Sequence, residues 1–251
     1  MNERLDKIRE YIRINGEAKL SEISKLFPEV SEMTIRRDLE RLEKSGDIIR
    51  TKGGAKSIRH LAGLKEALFY KRTMQNVEDK KAVALKAATL LEEGTSVFFD
   101  SGSTILYLAS FLKDSKINII TVDPNVAIEC AKNENVNIYL TGGSLNRDNL
   151  TLSGTNTIKF LENVNIDMAF MGASGYTSEG GFSCGSFTES EVKRFVIEKA
   201  KKTVFLMDSS KAGRELPFKF AELSDADFLV TDGNLPVEIK KEIKKYKIEV
   251  M

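Results

Sequence analysis

Four short segments combine serine or threonine with glycine, aspartate or lysine, and each follows an apolar run: DSGST at 100–104, TGGS at 141–144, GASG at 172–175 and DSSK at 208–211. Small residues ahead of a helix let several backbone N–H groups converge on an anion, and the helix start adds its positive end. A lysine on a neighbouring loop would supply a point charge for a phosphate. These segments are therefore candidates for an anion-binding site.

Each segment also has a simpler interpretation. DSGST could be only a turn between a strand and a helix, Gly142-Gly143 only a tight turn, and Lys211 only a surface lysine. A site is favoured because all four segments would lie beyond the carboxyl ends of strands, where open α/β sheets bind ligands. Carboxylates that could accept hydrogen bonds from sugar hydroxyls would stand there too: Asp100, Asp208, and Glu189 or Glu191. The two glutamates could equally be charges that favour a helix start.

A second candidate is the adjacent pair Arg36 and Arg37, inside VSEMTIRRDLERLEKSG at 30–46. Such a pair on a helix usually faces solvent. Ser31 is a natural N-cap, and Val30 before it can pack onto the fourth helical position as a hydrophobic staple. The apolar stripe of this helix turns Arg37 straight outward and leaves Arg36 at its flank; the stripe is Ile35, Leu39 and Leu42.

Three helical patterns and a hairpin in the first 57 residues must position these arginines. The first helix stops at Asn15-Gly16, the second has Ser21 as its predicted N-cap, and the third stops at Gly46. DIIRTKGGAKS at 47–57 predicts two strands around a Gly-Gly turn. Two helices joined by a tight turn and followed by a hairpin form a winged helix-turn-helix.

After a linker at 58–77, the domain at 78–251 alternates apolar strands with amphipathic helices. Strands are predicted at 96–100, 117–122, 136–141, 166–172, 203–208 and 228–232. Nearly all-apolar strands separated by helices are typical of a parallel sheet covered on both faces. The predicted fold class is α/β, with a winged helix-turn-helix domain at 1–57 and a larger open parallel-sheet, Rossmann-like domain.

Composition narrows the class of protein. With 41% hydrophobic and 30% charged residues and a mean hydropathy of −0.24, the chain is predicted to be globular. It has no apolar N-terminal region and no membrane-length apolar run, and Cys130 and Cys184 are its only cysteines, so we expect a cytoplasmic protein without membrane contact. His60 is the only histidine, which excludes a Ser-His-Asp triad and a histidine-based metal site. The GxGxxG fingerprint is absent after the first strand, and no cofactor is expected.

Charge is distributed unevenly along the chain. Residues 1–60 hold 14 lysines and arginines against 11 acidic residues, whereas the remainder holds 24 against 26. A mildly basic head on a mildly acidic body is compatible with nucleic-acid contact through the head.

Two sets of residues resemble a known family. VSEMTIRRDLERLEKSGDIIRTKGGA at 30–55 is similar to the N-terminal signature of DeoR-family bacterial transcriptional regulators. DSGST, TGGSL, GASGY…GGFS, ESEVKR and DSSKAGR are similar to successive motifs of that family's C-terminal sensor domain. The resemblance implies a repressor whose winged helix holds operator DNA. Its sensor domain would resemble the sugar-phosphate isomerase fold and bind a phosphorylated sugar that changes DNA affinity.

The expected DNA contacts lie on the third helix and the wing: Ser31, Thr34, Arg36, Arg37, Arg41, Lys52 and Lys56. The resemblance implies that the loop at 101–104 holds the phosphate and that Lys211 contacts it or the sugar. The expected effector contacts are Asp100, Ser101, Gly102, Ser103, Thr104, Gly142, Gly143, Gly172, Ser174, Glu189 and Lys211. Operators usually mirror protein symmetry, so a homodimer or homotetramer is expected.

The chain departs from the family pattern in three places. Ser103 stands where the family often has threonine, and Lys52 where it commonly has histidine. TVDPN at 121–125 replaces a frequent TNS, which leaves Val122 to Asn125 open as ligand contacts.

Two other functions stay open. A phosphosugar isomerase-like enzyme with an appended helix-turn-helix would need a poised acid and base. A module whose helical head docks a protein would need an apolar outer face on the third helix, and that face is mostly polar.

Overall fold

The computed structural model describes residues 3–44, 47–51, 53–57, 75–112, 116–147, 149–246 and 248–251. The chain divides into two compact units, Met1–Lys71 and Arg72–Met251, each of which is described by itself. Most of the predicted linker, together with His60 and Lys52, lies outside the described residues.

The N-terminal unit consists of three helices and a small antiparallel sheet. Its elements are α1 (Glu3–Asn15), β1 (Glu17–Lys19), α2 (Leu20–Leu26), α3 (Glu32–Lys44), β2 (Ile48–Thr51) and β3 (Gly54–Ser57). The strand order is β1-β3-β2, so the predicted hairpin is present and a third strand extends it. Sequence reasoning missed β1 because three residues are too short to show alternation. The unit is a winged helix-turn-helix.

The core of this unit confirms the predicted apolar stripe on α3. Its buried members include Ile8, Ile12, Ile23, Ile35, Leu39 and Leu42. Ser31 is the N-cap of α3, since its Oγ accepts a hydrogen bond from the Thr34 N–H at 3.3 Å. The predicted cap at Ser21 is wrong. The N-cap of α2 is Lys19, two residues earlier, and Glu22 closes the first turn by accepting the Lys19 N–H at 2.8 Å.

The C-terminal unit is an α/β domain built on a seven-stranded parallel sheet. In chain order its elements are α4 (Val77–Ala88), β4 (Ser96–Phe99), α5 (Ser103–Ser110), β5 (Asn118–Thr121), α6 (Pro124–Cys130), β6 (Asn137–Leu140), β7 (Ser144–Leu145), β8 (Leu152–Ser153), α7 (Thr155–Glu162), β9 (Met168–Gly172), β10 (Gly175–Thr177), β11 (Gly181–Cys184), α8 (Phe187–Lys199), β12 (Lys202–Met207), β13 (Phe218–Ala221), β14 (Phe228–Thr231), α9 (Val237–Ile243) and β15 (Glu249–Val250).

All six predicted strands belong to this sheet, whose order is β15-β14-β12-β9-β4-β5-β6. The seventh strand, β15, was not predicted. Two smaller antiparallel sheets, β10-β11-β13 and β7-β8, also escaped sequence reasoning. Consecutive residues of the central strands enter opposite core layers; Phe98 packs in one layer and Phe99 in the other. Both faces of the sheet are therefore covered, as the apolar strands predicted.

The strand order reverses between β4 and β9. The chain runs from β4 outward through β5 to β6, returns to pair β9 with β4, and then continues through β12 and β14. In open sheets of this kind, ligands bind in the crevice beyond the carboxyl ends of the strands at the reversal. We call this place the switch-point crevice. Within the part of the chain that the structure describes, no helix is long and apolar enough to cross a membrane.

Candidate functional site

The outer face of α3 presents three arginines in different states. Arg37 is exposed and makes no ion pair with another described residue. The Arg36 guanidinium donates to Glu32 Oε1 at 2.8 Å, one turn earlier in the helix. Arg41 is exposed and lies 4.0 Å from the Asp38 carboxylate. Of the three, Arg37 is the one with its charge uncommitted.

Three other predicted DNA contacts have local roles or partners. The Ser31 hydroxyl caps α3 and lies 2.9 Å from Thr34 Oγ1, so it positions the helix start. Lys56 on β3 pairs with Glu17 on β1 at 2.9 Å, in a bridge that is largely exposed. Such exposed ion pairs contribute little to the stability of the fold, so the lysine can readily leave its partner. Lys52 lies outside the described residues.

Asp38 holds α3 in place and was missed by sequence reasoning. Its side chain is buried, and it accepts a hydrogen bond from Arg4 Nε of α1 at 2.6 Å. A signal was present, because Asp38 stands three residues after Ile35 and directly before Leu39, on the apolar side of the helix. A buried carboxylate needs a partner, and only the tertiary structure supplies Arg4.

Asp100 joins the two strand ends at the switch-point crevice. It follows β4, is buried, and accepts the Gly172 N–H at the end of β9 at 2.9 Å. A Cβ at Gly172 would lie 2.8 Å from the Ser101 carbonyl oxygen, so the glycine permits this close approach. The structure thus brings together three of the predicted effector residues.

The partner of Asp100 is Lys193 of α8, which no sequence argument singled out. Its ammonium contacts the Asp100 carboxylate, lies 3.5 Å from Glu189 Oε1 and donates to the Gly172 carbonyl at 3.3 Å. Burial by itself lowers the pKa of Lys193, but the charges of Asp100 and Glu189 outweigh it and hold that pKa above its ordinary value. Glu189 and Lys193 stand four residues apart on a helix, which was the available signal.

The loop at 101–104 opens α5 without a side-chain cap. Gly102 is the N-cap residue at φ 114°, and the helix begins at Ser103. The Gly102 N–H donates to Asp123 Oδ2 at 3.3 Å, whereas no side chain caps the helix. Because orphan N–H groups at a helix start attract anions, this loop is a candidate anion cradle at the crevice.

Asp123 gives a structural role to TVDPN at 121–125, the segment that differs from the family pattern. It is buried at the start of α6 and accepts the Asn125 N–H at 2.9 Å in addition to that of Gly102. Burial raises the pKa of Asp123 to about 6, against the opposing effect of these backbone hydrogen bonds. This segment therefore supports the loop at 101–104 from the side of β5.

Gly142 and Gly143 follow β6, two strands away from β4. Both have positive φ, 72° and 119°. A Cβ on Gly143 would lie 2.3 Å from Thr157 Oγ1, whereas one on Gly142 would meet nothing within 4 Å. The Gly142 carbonyl accepts the Thr157 hydroxyl at 2.7 Å, so this pair is packed onto the first turn of α7. That helix, like α5, begins after a glycine and has no side-chain cap.

On the other side of the crevice, Lys211 follows β12, the neighbour of β9. Its ammonium lies 3.9 Å from Asp208 Oδ2 and is partly accessible. Asp208 is buried, and within the described residues its Oδ2 has no hydrogen-bond partner. Ser174, just beyond β9, is partly exposed. These residues belong to the same carboxyl edge as the loop at 101–104.

The carboxylates at the crevice are mostly committed to the protein itself. Asp100 and Glu189 share the Lys193 ammonium, and Glu189 also accepts Asn149 Nδ2 at 2.9 Å. Cys184 is buried, which raises the pKa of its thiol to about 11 and keeps it protonated. No group of three or more His, Cys, Asp and Glu that could hold a metal occurs among the described residues.

An open polar depression of about 480 Å³ lies away from this edge, at the C-terminal ends of α5 and α6. Its lining is Ala109, Ser110, Leu112, Glu129, Lys132, Asn133, Glu134 and Asn135. Helix C-termini present carbonyl groups, which disfavour anions, and none of the predicted site residues lines it.

Comparisons with known proteins cover both units. The model of the DeoR-like helix-turn-helix domain matches residues 4–60. The model of the DeoR C terminal sensor domain matches residues 75–233.

Curated relatives match over most of their length. The chain is 34% identical to an uncharacterized HTH-type transcriptional regulator, YulB, of Bacillus subtilis, over 99% of this chain and 95% of the relative. It is 36% identical to the HTH-type transcriptional regulator GlpR of Haloferax volcanii, over 88% and 86%. It is 33% identical to the HTH-type transcriptional repressor GlcR of Bacillus subtilis, over 92% and 88%.

Proposed function

Because the chain belongs to the DeoR family of transcriptional regulators and is itself a DNA-binding regulator, we propose that it represses a carbohydrate or related metabolic operon under the control of a phosphorylated sugar. The winged helix unit holds the operator. The C-terminal unit binds the effector at the switch-point crevice and thereby changes operator affinity. The protein acts in the cytoplasm, where its operator lies.

The observation that carries the DNA-binding half is the uncommitted Arg37 on a helix that a partly buried ion pair fixes in place. Arg4 and Asp38 tie α3 to α1, so the outward face of α3 has a defined orientation. Recognition helices of this fold lie in the major groove, with their first turns toward the base edges. Arg37 contacts a base edge or phosphate, Arg36 and Thr34 lie beside it, and Arg41 and the wing lysines contact the backbone.

Arg37→Ala in the full-length protein tests this placement. We expect operator affinity to fall by about tenfold and the slope of log affinity against log salt to become shallower by about one. Lys201→Ala is a matched control, since this exposed, ion-paired lysine belongs to the other unit. Unchanged affinity and salt slope in Arg37→Ala would remove Arg37 from the DNA interface.

The effector half of the proposal is supported by the uncapped helix start at 101–104. Backbone N–H groups of this turn suit a phosphate, and Lys211, which follows β12 at the same edge of the sheet, adds a cation. Ser101, Ser103 and Thr104 contribute hydroxyls, while Gly172 allows the end of β9 to approach the Ser101 carbonyl closely. A sugar phosphate fits this combination of an anion cradle and a hydrogen-bonding rim.

The carboxylates at the crevice already have partners within the protein, which favours binding without turnover over an isomerase-like activity. A general base must be free to accept a proton from the substrate. Asp100 and Glu189 instead share Lys193, and Asp123 accepts backbone N–H groups. Asp208 accepts the Ser210 N–H on one oxygen, and its other oxygen lies 3.9 Å from the Lys211 ammonium. We therefore propose that the crevice senses its ligand and does not transform it.

A thermal-shift screen of phosphorylated sugars tests the effector site. We expect at least one to raise the melting temperature of the wild type but not of Ser103→Ala or Lys211→Ala, and its unphosphorylated counterpart to have no effect. Equal stabilisation of all three proteins would place the ligand elsewhere. Turnover of the stabilising sugar phosphate in an isomerase assay would instead establish the enzyme.

The proposed assembly is a homodimer or homotetramer. Winged helix regulators contact half-sites related by twofold symmetry, so two copies are needed to hold one operator. Light scattering after size-exclusion chromatography distinguishes these assemblies from a monomer, whose observation would contradict the proposal.

A further inference from the structure

Met33 lies at the centre of the outward face of α3. At 100° per residue, the buried positions of this helix, Ile35, Asp38, Leu39 and Leu42, define one side. Met33 points to the opposite side, one turn before Arg37 and almost in line with it. Its side chain is 64% exposed.

An apolar side chain in this position does not contribute to the core of the unit. Other exposed apolar side chains of the unit, such as Ile14 at 62%, lie on different helices. The exposed side of α3 that carries Met33 also holds Arg37, with Arg36 and Arg41 toward its flanks, against the acidic residues Glu32 and Glu40. Its excess of arginine suits a polyanion rather than an apolar protein surface. Its partner must therefore combine dense negative charge with an apolar spot.

The major groove of duplex DNA has this combination. Phosphates line its walls, and the 5-methyl group of thymine is an apolar feature on its floor. We propose that Met33 recognises operator sequence by packing against the 5-methyl group of a thymine, while Arg37 holds the neighbouring phosphate or base edge. The inference rests on the proposed placement of α3 in the major groove.

Methionine suits this role because its unbranched, polarizable side chain adapts to the contour of its partner. The contact would distinguish thymine from cytosine and uracil, which lack the methyl group at this position. Met33 would then add sequence preference, whereas the arginines around it supply affinity. Because the side chain is exposed, its removal does not open a cavity in the core.

The experiment uses the full-length protein and an operator obtained by selection from random duplexes. Each thymine of a half-site is replaced in turn by deoxyuridine, which removes only the methyl group. We expect at least one such duplex to bind the wild type about fourfold more weakly, the effect of burying one methyl group less. Met33→Ala should bind the parent duplex more weakly and show no further loss at that deoxyuridine.

Ile14→Ala is the matched control, since it removes an equally exposed apolar side chain on α1. It should keep the wild-type sensitivity to deoxyuridine. The proposal is wrong if every deoxyuridine duplex binds the wild type like the parent, if the selected half-site contains no thymine, or if Met33→Ala keeps the wild-type sensitivity. If Arg37→Ala loses operator affinity alongside any of these results, only the role of Met33 is wrong and the placement of α3 in the major groove stands. If Arg37→Ala loses no affinity, that placement is wrong as well.

Discussion

The two units treat their buried charges differently. In the winged helix unit the buried carboxylate Asp38 pairs with Arg4, which is 28% exposed, and other cations stay on the surface. In the α/β unit both members of the central pair, Lys193 and Asp100, are only 2% exposed. The first unit pairs several of its cations in partly exposed bridges and leaves Arg37 without an ion pair among the described residues, while the second buries both members of its central pair.

This difference fits what each unit is proposed to bind. DNA carries negatively charged phosphates, and exposed arginines that contact them release counterions and so stabilise the complex. A small ligand in a crevice needs a rigid frame, and a fully buried ion pair supplies one at a desolvation cost that only good geometry offsets. In the proposed site the anion is therefore held mainly by backbone N–H groups and hydroxyls, with Lys211 as a partly accessible cation at its edge.

The largest expected effect comes from Lys193→Met. Removing the ammonium leaves Asp100 and Glu189 facing each other in a buried place, and we expect the unfolding free energy to fall by about 3–5 kcal/mol. Urea unfolding followed by far-UV circular dichroism measures this loss, and hydrogen exchange locates it in the α/β unit. Adding Asp100→Asn should restore part of it. Lys201→Met, which breaks an exposed pair, is the control; equal losses in the two lysine variants would contradict the contrast between units.

The second-largest expected effect is a pH dependence of the unfolding free energy that arises from Asp123. Its pKa of about 6 in the folded protein exceeds the ordinary 3.8, so the folded state keeps the proton longer than the unfolded one. The carboxyl therefore adds stability at low pH that is lost as the pH rises from about 4 to about 6. Relative to Asp123→Asn, the wild type should lose about 3 kcal/mol across this window and stay level above it. A constant difference from pH 4 to 7 would show that Asp123 titrates normally.

Arg4→Ala tests the corresponding pair of the winged helix unit. The change leaves the buried Asp38 carboxylate without its hydrogen bond from α1, and a loss of about 1–3 kcal/mol is expected on urea unfolding. Arg9→Ala, which breaks largely exposed pairs, should cost less than about 1 kcal/mol. Similar losses for the two variants would mean that Asp38 does not depend on Arg4.

The smallest expected effect is that of Glu32→Gln. It releases Arg36 from an exposed pair and removes a negative charge from the DNA face of α3. Stability should change by no more than about 0.5 kcal/mol, while operator affinity should rise by about twofold to fourfold. Electrophoretic mobility shifts measure the gain. A weaker complex would indicate that the Glu32–Arg36 pair orients the arginine for DNA.

Local sequence rules explain most of the correct predictions. The cap at Ser31, the stripe of Ile35, Leu39 and Leu42, and the six strands of the large sheet depend on neighbours a few residues away. Errors arose where several local solutions compete. Ser21 and Lys19 could each begin α2, and three-residue β1 exists only because β3 pairs with it.

The sequence by itself determined the three helices of the first unit, six strands of the large sheet, their order in the chain, and the polar segments at the strand ends, because helix and strand periodicities act over short distances. Tertiary structure decided which distant charges meet. Arg4 reaches Asp38 across 34 residues, and Lys193 reaches Asp100 across 93. These pairs depend on the packing of α1 on α3 and on β4 lying beside β9. Nothing in the spacing of the residues encodes such neighbours, since burial and the demand of a buried charge for a partner arise only once the chain has folded.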